Sequence, residues 1–69
     1  MITSKTVRKG QWIQDEYFQK CQVVEKTADK ILTKRYDETG PWEGVATWTY
    51  NDFDAQRWTK ARPSKKAKQ

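Results

Sequence analysis

Residues 19–36 read QKCQVVEKTADKILTKRY, and whether they form two strands or one helix decides the fold. Val23, Val24, Thr27, Ile31 and Lys34 fit helical spacing, so periodicity leaves both readings open. The β-branched side chains at Val23, Val24, Thr27, Ile31 and Thr33 favour strands, because branching at Cβ restricts χ1 and packs well on a pleated surface. We therefore expect a hairpin with strands over 20–25 and 31–36, closed by a loop of three to five residues.

Next in weight is 42–58, WEGVATWTYNDFDAQRW, which holds three of the four tryptophans together with Tyr50 and Phe53. Residues 45–50 have strand composition, Asn51 and Asp52 supply turn chemistry, and 56–61 make a last short strand, so a second hairpin is expected here. Segment 51–55 reads as a tight turn or one 3₁₀ turn. If Trp48 faces inward, strict alternation puts Ala46 and Tyr50 on its face.

Outward from these stretches, Gly10 breaks the polar N-terminus, and 11–15 forms a first strand with Trp12 or Ile13 inward. A loop at 16–19 brings Tyr17 or Phe18 over the core. DETGP at 37–41 is a polar turn closed by Gly-Pro. Pro63 ends pairing, since it has no N–H to donate to a ladder. Five short strands in about fifty residues, a long central hairpin and a tight turn before the last strand predict an all-β fold. Their order resembles that of an SH3-like or Tudor-like five-stranded barrel, although the Tyr-rich signature of peptide-binding SH3 domains and a KOW pattern are missing. The resemblance implies a barrel over 10–62, preceded by a flexible basic segment at 1–9 and followed by a disordered basic tail at 63–69. Trp12, Val24, Ile31, Trp48 and Trp58 are its expected core.

A chain of 69 residues buries only about 60% of its unfolded surface, so its stability margin is thin. One cysteine and no histidine leave no intrachain disulfide and no Cys/His metal staple. Large aromatics must supply the buried area instead, at about 150–250 Å² each. The nine here exceed what one small core hides, so at least two should stay exposed; Tyr17, Tyr36, Trp42, Tyr50 and Phe53 are the candidates.

The formal net charge is +5, unevenly spread. Residues 1–9 and 60–69 carry eight Lys and Arg and no acid, whereas 10–59 hold six bases against nine acids, a net −3. A basic balance of this kind is an electrostatic footprint for nucleic acid, and here it lies on the ends of the chain. KARPSKKAKQ at 60–69 is either a solubilising tail or a phosphate-binding arm. The chain has no secretory h-region and no apolar run near the roughly 18 residues of a membrane span, so we expect an intracellular, cytoplasmic protein with no membrane contact.

Catalysis is not expected. The commonest general base is missing, Cys21 has no histidine partner, and three glycines form no phosphate loop. The acidic pairs Asp15 and Glu16, Asp37 and Glu38, and Asp52 and Asp54 sit at turns, where carboxylates usually cap or face water. No cofactor or metal is expected. The leading expectation is a non-enzymatic module binding DNA or RNA, with Arg57, Lys60, Arg62, Lys65, Lys66 and Lys68 on phosphates and exposed Trp42 and Tyr50 against bases. The alternative is a protein-interaction module that binds or inhibits a larger host protein, of the phage or mobile-element accessory type. It draws on the acidic 10–59 body. A monomer or weak homodimer fits either.

Overall fold

The computed structural model describes residues 1–64. The deciding stretch forms two strands, β2 (Lys20–Lys26) and β3 (Lys30–Asp37), antiparallel and joined by a three-residue turn. Thr27 closes that turn: its backbone N–H donates to the Lys30 carbonyl at 2.8 Å and its Oγ1 accepts from the Lys30 N–H at 3.0 Å. Tertiary pairing thus settles the helix-or-strand ambiguity in favour of the strands.

The register breaks between Val23 and Glu25, leaving Val24 as a bulge. One extra residue switches the alternation, so Val23 and Lys26 both lie on the face of buried Thr33 and Ile31 although they are three positions apart. Val24, expected in the core, is consequently only half-buried.

β1 (Trp12–Gln14) pairs with β2, placing Ile13 opposite Cys21, which is itself opposite Arg35. Ile13 is the inward residue of β1. Trp12 is not in the core as expected; it lies half-buried on the other face, against Tyr36 with ring centroids 4.6 Å apart. After the turn at Asp37, β4 (Gly40–Pro41) and β5 (Ala46–Thr49) both pair with β3, at its two ends.

The expected hairpin over 42–58 does not form. β5 runs into a five-residue helix, α1 (Tyr50–Asp54), whose N-cap Thr49 accepts from the Asp52 N–H through its side chain. The last strand, β6 (Thr59–Lys60), then crosses to pair with β1. The sheet order is β4-β3-β2-β1-β6 with β5 also on β3, and among the described residues no ladder joins β6 to β5. The fold is mostly β, as expected, with one short helix in place of the anticipated turn.

α1 makes the core possible. It places Phe53, fully buried, over the inner face, stacked on Trp58 at 4.9 Å with the planes 15° apart. Trp58 donates its indole N–H to the Phe53 carbonyl at 2.7 Å, which satisfies both groups in the interior. Trp48 meets both rings edge-on and donates to Thr33 Oγ1 at 3.0 Å, remaining half-buried. The core is Val7, Ile13, Cys21, Val23, Ile31, Phe53 and Trp58.

Segment 1–9 packs on the body at several points. Ile2 bridges Trp58, Val7 is buried, and the Asp54 carboxylate accepts from both the Ser4 N–H and the Ser4 hydroxyl, each at 2.7 Å. These two bonds hold the Asp54 carboxyl below its ordinary pKa, the Ser4 hydroxyl first and the Ser4 N–H second.

Candidate functional site

Core packing ends at Arg35. This residue lies on the inner face of β3, one row beyond Thr33, where the sheet edge replaces aliphatic cover with polar groups. The Trp42 ring covers its guanidinium at 4.2 Å, a cation–π geometry, and the Trp42 N–H donates to the Arg35 carbonyl at 2.8 Å. The indole N–H of Trp42 donates to Asp37 Oδ2 at 2.6 Å, while Asp37 Oδ1 accepts from Thr39 N–H and Oγ1. Thr39 first and Trp42 second keep the Asp37 carboxyl below its usual pKa. Asp37 therefore fixes the ring that covers Arg35.

Arg35 also lines an open groove of about 660 Å³, with Phe18, Gln19, Lys20, Tyr36 and Arg62 among its walls. Asp37, Glu38, Pro63 and Ser64 complete its lining. Three cations and two aromatic rings converge there. Strand pairing accounts for much of this, because Lys20 and Tyr36 are direct partners at the ends of β2 and β3.

Phe18 arrives from the turn after β1. Asp15 Oδ1 accepts from the backbone N–H groups of Tyr17 and Gln19, both at 2.9 Å, and the Phe18 N–H donates to the Asp15 carbonyl at 3.0 Å. This arrangement holds Phe18 at φ 63°, the left-handed region that non-glycine residues seldom adopt. Tyr17 is 74% and Phe18 77% exposed. The expectation that one of them covers the core is thus corrected: Phe53 and Trp58 fill that space, and the Asp15 turn directs both rings outward.

Of the sequence candidates, Arg62 lines the groove and Trp42, 45% exposed, stands behind it on Arg35. Tyr50 is elsewhere. It packs against the core, donates its hydroxyl to the Thr27 carbonyl, and sits where β5 meets the Lys30 end of β3, about 16 Å of strand from Arg35. Lys60 is exposed on β6 opposite Ile13, and Arg57 is exposed next to Trp58; neither lines the groove. Lys65, Lys66 and Lys68 lie outside the described residues, directly after Ser64 in the chain. Phe18, Lys20 and Arg35 are groove residues that the sequence did not single out, and Asp15 preceding two aromatics was the available signal.

Cys21 is buried under this region. Burial pushes its thiol up to about 11, with the Thr33 hydrogen bond acting in the opposite direction, so it is a poor nucleophile at neutral pH.

Fold and site together define a small, mostly β protein with a basic, aromatic-walled groove at one end of its sheet. No family model, curated protein or solved structure matches the chain, so its function is read from this geometry.

Proposed function

We propose that this protein is a non-enzymatic nucleic-acid-binding module whose groove takes the backbone of DNA or RNA. The observation that carries the reading is the convergence of Lys20, Arg35 and Arg62 with Phe18 and Tyr36 in one open groove. Cations supply sequence-independent attraction to phosphates, and aromatic faces supply contacts to bases. Lys65, Lys66 and Lys68 follow Ser64, a groove residue, in sequence, and in this reading they extend the phosphate contacts together with Lys60 and Arg57. Trp42 acts by holding Arg35 in place, and Tyr50 belongs to the packing of the opposite end.

We also propose that the sheet curls as an SH3-like barrel. A meander β1-β2-β3-β5, one helical turn, and a last strand returned to β1 support that finer description.

The test is fluorescence anisotropy with labelled oligonucleotides over a salt series. Three phosphates neutralised in the groove give a slope of log K against log[salt] of about −2 for a single strand, steeper with the tail engaged. Absence of binding at low salt would remove the proposal.

A second reading, an interaction module for a larger protein, is favoured by the net −3 of residues 10–59 and by exposed Tyr17 and Phe18. It requires a stoichiometric protein partner in pull-downs, and such a partner whose binding ignores salt would favour it.

A further inference from the structure

We propose, on the basis of the nucleic-acid reading above, that the turn at 15–19 is a base-stacking element, which makes unpaired single-stranded segments the ligand of the groove. Three observations combine. The turn is built to be rigid: the Asp15 carboxylate accepts from two backbone N–H groups, the Phe18 N–H donates to the Asp15 carbonyl, and the Asp15 N–H donates to the Gln19 carbonyl at 3.2 Å. What that rigidity holds is unfavourable for folding, namely a phenylalanine at φ 63° with two adjacent aromatic rings mostly in water. Folding by itself would select glycine or asparagine at position 18 and a polar residue at position 17.

The third observation is placement. Phe18 shares the groove with Lys20, Arg35 and Arg62, so a polyanion held by these cations passes the exposed ring. Asp37 and Glu38 also line the groove, and the bonds from neutral Thr39 and Trp42 leave the Asp37 charge in place, so three cations against two carboxylates make the lining net positive by one. Charge complementarity therefore selects an anionic chain, and the ring selects one with flat, accessible faces. A duplex offers phosphates but conceals its base faces inside the stack; an unpaired strand offers both. Every base has a π-face, so the element discriminates strandedness and tolerates sequence.

The experiment compares wild type, Phe18→Ala, Phe18→Gly and Arg62→Ala on oligo-dT, oligo-U and a hairpin duplex of equal charge at one low salt concentration, with salt slopes for each. Wild type is expected to bind the unpaired strands more tightly than the duplex. Both Phe18 variants should lose about 5- to 150-fold in affinity for the unpaired strands, the range of one stacked base. Their salt slope and duplex affinity stay at the wild-type values. Arg62→Ala should instead lower the slope by about 0.7 on single strands. The dT and U arms separate DNA from RNA as the source of the strand. Phe18→Gly relieves the left-handed backbone, so its loss of affinity is not attributable to misfolding. Nucleic-acid binding that is unchanged by both Phe18 variants, or equal for strand and duplex, overturns this inference and leaves the module reading standing; no binding by wild type removes both.

Discussion

Replacing Phe53 with alanine tests the central feature of the architecture, the one-turn helix that lowers an aromatic ring onto the sheet. Phe53 is completely buried, stacked on Trp58 and edge-on to Trp48. Truncating such a ring costs about 3–5 kcal/mol, the transfer of the lost atoms plus the cavity they leave. Phe53 sits between two tryptophans whose rings cannot close the gap without leaving Thr33 or the Phe53 carbonyl unbonded, so the upper half of that range applies. A chain of this length is stable by about 3.5–10 kcal/mol, taking about 0.05–0.15 kcal/mol per residue. The variant therefore lies between unfolded and a stability of about 6 kcal/mol, depending on where the wild type falls in that range. Each kcal/mol corresponds to about 4–8 °C for a domain of this size, so any residual transition falls by about 16–40 °C. Thermal and urea melts followed by near-ultraviolet circular dichroism read this directly, because the Phe53, Trp58 and Trp48 rings are held in one asymmetric cluster. Trp42→Ala is the control: it removes a larger but half-exposed ring and should cost about 1 kcal/mol from its contact with Arg35. A Phe53→Ala protein that melts within about 1 kcal/mol of wild type, with Trp42→Ala the more damaged, would refute the placement of α1.

Asp54→Asn should weaken the attachment of segment 1–9 at neutral pH and flatten the acid limb of stability. The Asp54 carboxyl is depressed in the folded state, so its contribution is complete above its ordinary value near 3.8 and is lost as pH falls through the lower folded value. Acid titrations monitored by tryptophan fluorescence check this, since Ile2 bridges Trp58. Cys21 should resist alkylation at pH 8 in the folded protein, with about one thiol in a thousand ionised, and should react quickly in 8 M urea; rapid labelling of native protein would contradict its burial. Asp15→Ala removes the acceptor of two backbone N–H groups and should leave the melting temperature within a few degrees, because lost hydrogen bonds of about 1 kcal/mol each are offset by release of Phe18 from its left-handed backbone. Amide exchange at Tyr17 and Gln19 should rise, and unchanged protection there would disprove the Asp15 latch.

Much of the fold was legible in the sequence because its signals are local. β-branched runs at 20–25 and 31–36 marked β2 and β3, whereas Gly40 and Pro41, read as the end of a turn, form β4 on Tyr36 and Asp37. Counting also gave the charge at the chain ends and the exposure of at least two aromatics but not their identity, since Phe53, a candidate for exposure, is fully buried and Phe18 is exposed. The candidate site was less legible. Arg62 was named from charge and does line the groove, whereas Tyr50 was named as a surplus aromatic near the basic end and is instead in α1, packed against the core. Period-2 alternation stops at Thr49, and the one local sign of a helical turn, Thr49 three residues before Asp52, fits a tight turn as well.

By itself the sequence determined that this chain is small, mostly β, dependent on aromatic burial and basic at its ends, since composition and short-range patterning set those properties. Which aromatics are hidden was decided by tertiary structure. The bulge at Val24 switches the face of β2, α1 exchanges Phe53 for Trp12 in the core, and β6 crosses to β1 instead of β5. Each of these depends on pairing between residues far apart in the chain. The same long-range pairing that sets Lys20 beside Tyr36, with Arg35 as its neighbour on β3, brings cations and rings together in the groove.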